Sequence, residues 1–231
     1  MTEKQIIPAG NITQPRIPVK ICGLMRVEQA LDCIKLGANL IGLVFYPGSP
    51  RYVDRKQARE ISAALGSRAS VVGVFVNEAY RTVMDVVESC GISTVQLHGQ
   101  EPPEFVKRLR DTGLVVLKAL FYSKQPFLDR AIEYDASAFL LECGAGRLPG
   151  GNARKWDWAA AEKTDRSRPV ILAGGLTADN ISRAILLGKP DAVDVSSGVE
   201  QQPGEKDMDK VAAFLDAVGR TEINYTFQPI R

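Results

Sequence analysis

The sequence predicts an α/β fold, a single (β/α)₈ TIM barrel. Eight short apolar runs alternate with segments in which apolar residues recur at helical spacing. Near-continuous apolar strands indicate a parallel sheet covered by helices, and 231 residues is the length of one such barrel. We therefore expect a barrel domain over residues 16–220, a flexible N-terminal extension over 1–15 and a C-terminal tail over 221–231.

The apolar runs predict the strands in chain order. Each run is five to seven residues long, the usual length of a strand. They are Pro18–Cys22, Asn39–Phe45, Ser70–Val76, Ser93–Leu97, Leu114–Ala119, Ser137–Leu141, Pro169–Ala173 and Asp191–Val195. A doubly wound open sheet is the alternative. It is disfavoured because no GxGxxG motif follows the first run, where a dinucleotide-binding fold carries it.

The segments between these runs predict helices, several of which end in a glycine cap that leads into the next strand, at Gly37, Gly91 and Gly188. They are Arg26–Leu36, Asp54–Leu65, Ala79–Ser89, Pro103–Asp111, Pro126–Tyr134, Thr177–Leu187 and Lys206–Ala217. The sixth unit is the least regular, because the stretch from Glu142 to Ala153 is rich in glycine and too long for a minimal turn. Long loops after barrel strands usually serve the functional site.

Composition excludes several classes of function. The net charge is +2, from 29 basic and 27 acidic residues, with no basic stripe for nucleic acid and no apolar run long enough to span a membrane. The four cysteines form no CxxC pair, and one histidine is too few for a histidine-based metal site. We expect a cytoplasmic protein, a monomer or homodimer, with reduced cysteines, no metal and no cofactor.

Barrel active sites lie at the carboxyl ends of the strands, so polar residues that follow each apolar run are the candidates. They are Cys22, the loop from Tyr46 to Arg51, Asn77, Gln96, His98, Lys118, Glu142, Gly174, Gly175, Asp194, Ser196, Ser197 and Gly198. After the seventh and eighth runs, glycines allow a phosphate to approach backbone amides, and serine hydroxyls add donors. The predicted ligand is therefore a phosphorylated sugar.

Cys22 and Glu142 end the first and sixth runs, where a thiol and a carboxyl group are suited to act as base and acid. A buried cysteine and a solvated glutamate are the structural alternatives. Arg51 follows a rigid Ser-Pro turn that suits the binding of a carboxylate or phosphate, with a surface arginine as the alternative. Gln96 and His98 alternate along a strand, so both face the barrel mouth, although histidine at such a position is more often structural.

Six stretches, one per barrel unit and in the same order, resemble phosphoribosylanthranilate isomerase over about Val19 to Ala217. They are Lys20–Gly23, Ser49–Val53, Val72–Asn77, Val95–Gly99, Leu172–Thr177 and Asp194–Glu200. The resemblance implies a cofactor-free Amadori rearrangement, an aldose-ketose isomerisation of tryptophan biosynthesis that converts N-(5′-phosphoribosyl)anthranilate to the 1-deoxyribulose form.

The resemblance also implies roles for individual residues. Cys22 matches the base that takes the proton from C2′ of the opened Schiff base, and Arg51 matches the group that binds the anthranilate carboxylate. Gly174, Gly175, Ser196 and Ser197 match the phosphate loops. Glu142 stands where the family has an aspartate, the general acid that protonates the ribose ring oxygen.

The loop after Glu142 departs from the family pattern as well. Gly150-Gly151-Asn152-Ala153 replaces a Gly-Gly-Thr-Gly-like run, and the stretch from Gly144 to Pro149 is additional. Two alternatives therefore accompany the isomerase hypothesis. One is a related barrel isomerase that acts on a different phosphoribosyl or aryl-amine sugar phosphate, and the other is a non-catalytic sugar-phosphate binder.

Overall fold

Eight parallel strands close into a barrel in the computed structural model, which describes residues 17–146 and 150–230. Each strand pairs with its neighbours in chain order, and the eighth closes on the first. The strands are β1 Val19–Cys22, β2 Leu40–Val44, β3 Ser70–Phe75, β4 Thr94–Leu97, β5 Val115–Phe121, β6 Ala138–Glu142, β7 Val170–Leu172 and β8 Ala192–Val195. The predicted (β/α)₈ barrel is confirmed, and the open sheet is excluded.

Helices cover the outside of the barrel, as the apolar spacing predicted. The α-helices are α1 Val27–Lys35, α2 Arg55–Leu65, α3 Tyr80–Cys90, α4 Pro103–Arg110, α5 Ile181–Gly188 and α6 Met208–Arg220. The units after β5 and β6 carry only the 3-10 helices Leu128–Glu133 and Trp158–Lys163. The predicted α-helix Pro126–Tyr134 was therefore wrong, because this segment forms a 3-10 helix and Phe127 before it still bridges to Phe121 at the end of β5.

A small hairpin precedes the last helix and was not predicted. Its strands are β9 Glu200–Gln202 and β10 Glu205–Lys206, and they pair antiparallel. The apolar spacing placed the start of this helix at Lys206, but α6 begins at Met208 because Asp207 caps it and accepts hydrogen bonds from the backbone amides of Asp209 and Lys210. The hairpin lies at the carboxyl end of β8, next to the candidate residues.

Side-chain alternation assigns each strand residue to the barrel interior or to the layer under the helices. On β5 and β6, Leu117, Ala119 and Leu140 belong to the interior cluster, whereas Phe139 and Leu141 belong to the larger cluster beneath the helices. The same alternation points Glu142 inward, at the top of the interior face of β6. Both clusters are buried, so the barrel is filled and its pocket is confined to the mouth.

The end of α5 differs from the predicted glycine cap. The left-handed position is Lys189, with φ of 43°, while Gly188 remains helical. A Cβ at Gly188 would lie 3.1 Å from the carbonyl oxygen of Trp158. Gly188 therefore permits a close approach of the neighbouring unit and does not serve as the cap.

Residues 221–230 of the tail have neither helix nor strand, yet they pack beneath the barrel. Tyr225 donates to the carbonyl oxygen of Pro190 at 2.8 Å, and the amide of Gln228 donates to Asp191 at 2.6 Å. Ile230 contacts the interior cluster, opposite the mouth. Residues 1–15, predicted as a flexible extension, lie outside the described residues. No helix in the part of the chain that the structure describes is long and apolar enough to cross a membrane.

Candidate active site

One pocket at the carboxyl ends of the strands gathers all eleven candidate residues that the sequence assigned to catalysis or substrate binding. They are Cys22, Arg51, Gln96, His98, Glu142, Gly174, Gly175, Asp194, Ser196, Ser197 and Gly198. The pocket has an empty volume of about 740 Å³, part of it open at the mouth. Its position follows from the parallel barrel, in which every strand ends at the same rim.

Cys22 lies above a buried ion pair. Lys20, two residues earlier on β1, points into the barrel and donates to Asp194 on β8 at 2.7 Å. A Cβ added to Gly42 would lie 2.7 Å from Cys22 Sγ and 3.0 Å from Lys20 Nζ, so the thiol and the ammonium border the same small space. The thiol therefore sits beside a fixed positive charge.

Burial and charge act on Cys22 in opposite directions. Burial raises the pKa of the thiol, and the charge of Lys20 lowers it without outweighing burial, so the pKa stays above its ordinary value of 9.0. For Lys20, burial alone would lower the pKa, but the charges of Asp194 and of a Cys22 thiolate raise it above 10.5. Lys20 is therefore protonated at neutral pH.

Glu142 lies beside His98 in the wall of the pocket. The Oε2 atom lies 2.8 Å from His98 Nε2, although the ring N–H direction does not meet hydrogen-bond geometry. His98 is oriented from its other side, because Gln96 Nε2 lies 2.9 Å from His98 Nδ1. The side chains of Gln96, His98 and Glu142 thus form one contiguous polar wall of the pocket.

The longer acid side chain is accommodated by glycine. A Cβ added to Gly174 would lie 3.0 Å from Glu142 Cγ, and one added to Gly150 would lie 3.1 Å from Glu142 Oε2. Glu142 Cγ is the methylene by which this residue exceeds an aspartate. The loops after β6 and β7 therefore close around the glutamate with no room for larger neighbours.

The loops after β7 and β8 touch one another. Gly174 and Gly175 have φ of 88° and 68°, which other residues rarely adopt. A Cβ at Gly198 would lie 1.9 Å from the carbonyl oxygen of Leu176, so only glycine allows these backbones to meet. Asn180 holds the first loop by donating to the carbonyl oxygen of Gly175 at 2.9 Å and accepting from Thr177.

Arg51 reaches the pocket from the loop after β2 and is only 5% exposed, which excludes the surface-arginine alternative. Its guanidinium donates two hydrogen bonds to Glu200, which itself contacts Lys206. Glu200 and Lys206 were not among the candidates from sequence. The available signal for Glu200 was its place in the segment that follows the eighth strand, but nothing local links Glu200 or Lys206 to Arg51.

Lys118 and Asn77, two further candidates, do not line the pocket. Lys118 lies in the middle of β5 and points outward, because its neighbours Leu117 and Ala119 face the interior, and it pairs with Glu101 at 2.8 Å. Asn77 accepts from the amide of Gln100 at 2.6 Å. Both residues hold the loop that follows β4 and carries His98, so their role is structural.

The four cysteines are buried and free. Across residues 17–146 and 150–230, no group of three or more His, Cys, Asp and Glu side chains is arranged to hold a metal ion.

Fold and pocket together define a class: a (β/α)₈-barrel enzyme whose last two loops have the glycines and hydroxyls of a phosphate site. The family model described as N-(5′-phosphoribosyl)anthranilate (PRA) isomerase matches residues 19–217. A relative of that name from Desulfatibacillum aliphaticivorans is 48% identical over 209 residues, which cover 90% of this chain and 96% of the relative. The chain belongs to the N-(5′-phosphoribosyl)anthranilate isomerase family.

Solved structures agree with this assignment. The phosphoribosyl anthranilate isomerase of Thermotoga maritima is 38% identical, with a TM-score of 0.79, and the match covers 87% of this chain and 98% of that one. Another isomerase structure, a complex with reduced 1-(o-carboxyphenylamino)-1-deoxyribulose 5-phosphate, is 37% identical with a TM-score of 0.76 over 87% and 98% of the two chains.

Proposed function

We propose that this chain catalyses the Amadori rearrangement of N-(5′-phosphoribosyl)anthranilate to 1-(2-carboxyphenylamino)-1-deoxyribulose 5-phosphate, a step of tryptophan biosynthesis that needs no cofactor. One observation carries the proposal. A thiol, a carboxyl group, a guanidinium, the Gly174-Gly175 loop and the Ser196-Ser197-Gly198 loop all line a single pocket. This combination suits a phosphorylated sugar that bears an aromatic acid.

The first chemical step is assigned to Glu142. Its carboxyl proton passes to the ribose ring oxygen, the bond from that oxygen to C1′ breaks, and the nitrogen lone pair forms the Schiff base. The 2.8 Å contact of Glu142 with His98 places the carboxylate left by this transfer beside a polar partner. General acid catalysis of this kind contributes roughly 10²- to 10⁴-fold in rate.

The second step is assigned to Cys22. Its thiolate takes the proton from C2′, the electron pair moves toward the protonated imine at C1′, and the resulting enolamine tautomerises to the C2′ ketone. Lys20 stabilises the thiolate through its charge, which is held in place by Asp194. The protons taken and given balance, so substrate and product are isomers.

Binding groups occupy the two sides of the pocket. Gly174, Gly175, Ser196, Ser197 and Gly198 are assigned to the phosphate, because their loops combine accessible amides with hydroxyl donors. Arg51 is assigned to the anthranilate carboxylate. Gln96, His98 and Asp194 also face the pocket and are assigned to the sugar hydroxyls.

A second candidate function is the isomerisation of a different phosphoribosyl or aryl-amine sugar phosphate, with a non-catalytic sugar-phosphate binder as the remaining alternative. Two differences from the family in the sixth unit favour a different substrate. Glu142 replaces the family aspartate, and Ala153 in the following loop has φ of 54°, a conformation that suits the family's glycine better. Turnover of the anthranilate compound separates these possibilities.

The test follows the fluorescence of freshly generated N-(5′-phosphoribosyl)anthranilate after addition of the purified protein. We expect rapid loss of fluorescence with the wild-type protein. For Cys22→Ala and Glu142→Gln we expect kcat to fall by roughly 10²- to 10⁴-fold. Cys90→Ala on α3 and the exposed Glu162→Gln are matched controls that leave the rate unchanged. No turnover by folded wild-type protein would reject the proposal.

The assembly and compartment remain proposals. A relative from Thermotoga maritima is described as a dimeric isomerase. We propose a monomer or homodimer in the cytoplasm, and light scattering of the purified protein determines which assembly forms.

A further inference from the structure

Arg51 already has a permanent partner in the unliganded pocket. Its Nε and Nη2 atoms donate to the two carboxylate oxygens of Glu200 at 2.8 and 2.7 Å, a bidentate pair. Both side chains are buried, at 5% and 8% exposure. One full edge of the guanidinium is therefore unavailable to a substrate.

The remaining nitrogen of Arg51 faces the pocket loop. A Cβ added to Gly151 would lie 2.8 Å from Arg51 Nη1. Gly151 and Arg51 both line the pocket, so Nη1 is the guanidinium atom that the geometry presents to a ligand. A carboxylate would meet the guanidinium at its Nη1 end and not along the edge that Glu200 occupies.

Lys206 completes a cluster of three charges. Its ammonium donates to Glu200 Oε1 at 2.6 Å and to the carbonyl oxygen of Ser196 at 3.2 Å, with Ser196 Oγ at 3.5 Å. These three acceptors match the three protons of a charged lysine. Burial lowers the pKa of Lys206 below 10.5, and the charge of Glu200 opposes that shift. With Lys206 protonated, two cations against one carboxylate leave the cluster one net positive charge, which an Arg51–Glu200 pair alone would lack.

The protonation state of Glu200 supports this assignment of charges in the cluster. Burial alone would raise the pKa of Glu200, but the hydrogen bonds from Arg51 and the charge of Lys206 outweigh it and hold the pKa below 4.5. Glu200 is therefore an ionised carboxylate at neutral pH. A buried carboxylate of this kind needs both cations, so removing one partner disturbs the other two.

The cluster also joins the two ends of the pocket. Glu200 and Lys206 belong to the β9–β10 hairpin, whose Gly204 donates its amide to Glu200 Oε1 and packs against Pro50, next to Arg51. Lys206 contacts Ser196 in the loop assigned to the phosphate. The hairpin thus links the carboxylate side of the pocket to the phosphate side.

We propose that Glu200 and Lys206 are positioning residues for substrate recognition, an inference that rests on the proposed function. Glu200 holds Arg51 so that Nη1 faces the aromatic carboxylate. Lys206 preserves the net positive charge that this carboxylate requires and couples Arg51 to the Ser196 loop. A purely structural hairpin clamp would instead affect all ligands equally.

The experiment compares two ligands that differ by one carboxylate. Reduced 1-(o-carboxyphenylamino)-1-deoxyribulose 5-phosphate and its phenylamino counterpart without the carboxyl group are titrated into wild-type protein and Glu200→Gln by calorimetry. We expect the variant to weaken binding of the carboxylated ligand by about tenfold or more and to leave the other ligand nearly unchanged. The matched control is Glu205→Gln, a neighbour in the hairpin that lies outside the cluster and preserves both affinities.

Each outcome decides between the two roles. An equal loss for both ligands, or no loss for either, would overturn the proposal. If Glu200→Gln fails to fold, Lys206→Met provides the same ligand comparison, with the same selective loss expected. Failure of the proposed function is distinguishable, because wild-type protein would then not prefer the carboxylated ligand.

Discussion

At the scale of single residues, burial controls the protonation of the thiol assigned as the base. Cys22 is enclosed in the barrel mouth, and burial raises its pKa above 9.0 against the opposing charge of Lys20. Asp194 adds to the rise, while Lys206 adds to the lowering. The thiolate is therefore the minor form of the free protein at neutral pH.

This protonation predicts the pH dependence of the thiolate at Cys22. Below the pKa of a thiol, the thiolate fraction rises about tenfold for each pH unit. We expect the ultraviolet absorbance of the Cys22 thiolate, taken as the difference between wild type and Cys22→Ala, to increase from pH 7 through pH 9. Spectrophotometric titration over this range measures the profile. A plateau that begins below pH 8 would contradict the raised pKa.

The contacts around Glu142 also depend on the length of its side chain. Glu142 Oε2 reaches His98, and its Cγ packs close to Gly174. Shortening the side chain by one methylene withdraws the carboxyl group from His98, and a displacement of about 1 Å costs on the order of 10²-fold in rate.

Glu142→Asp introduces the aspartate of the family, and we nevertheless expect this substitution to lower the activity of this chain. We expect kcat to fall by roughly 10- to 100-fold, with a smaller change in KM, in steady-state assays. Glu142→Gln sets the lower limit of the comparison. If Glu142→Asp equals or exceeds the wild type, the surrounding loops are not shaped for glutamate.

At the scale of elements, the phosphate site depends on contact between two loops from neighbouring strands. Gly198 follows β8 and touches the carbonyl oxygen of Leu176, which follows β7. Its φ is not in the left-handed region, so an alanine has no backbone strain there and only the added Cβ matters. The close approach alone makes glycine necessary.

Gly198→Ala tests this contact. The added Cβ, 1.9 Å from Leu176 O, forces the loops apart and moves the amides assigned to the phosphate. We expect a KM increase of about tenfold or more for the phosphorylated substrate. Gly113→Ala is the control, because its φ of 89° creates strain but no atom lies near the new Cβ. The control should lower Tm without changing KM, and equal KM effects in both variants would contradict the prediction.

At the scale of the whole molecule, the tail closes the end of the barrel opposite the pocket. Tyr225 and Gln228 bond to residues just before β8, and Ile230 reaches the interior cluster. Asp191 also accepts hydrogen bonds from Arg166 and from the amide of Val170, so the bond from the tail adds a third donor to this buried carboxylate. The tail therefore contributes to stability at a distance from the chemistry.

Deleting residues 223–231 separates stability from activity. The loss of partly buried apolar side chains costs roughly 2 to 4 kcal/mol. For a chain of this size that loss lowers Tm by roughly 4 to 16 °C. Calorimetry measures the shift, and KM at 25 °C stays unchanged because none of residues 221–230 lines the pocket. A KM change without a Tm change would place the tail in the site.

By itself the sequence determined the barrel, the order of its units and most of the candidate site. Strand periodicity and strand ends are local patterns, and a parallel barrel brings every strand end to one rim. This is why Cys22, Glu142 and the loops after β7 and β8 were predictable from their positions alone.

Only the tertiary structure decided which side chains meet. Arg51 and Glu200 are 149 residues apart, and Lys20 and Asp194 are 174 apart, so each pairing depends on barrel closure. Lys118 was misplaced because its neighbours Leu117 and Ala119 face the barrel interior, so alternation along β5 directs Lys118 outward. Contact between distant residues is a property of closure and register, which no local pattern records.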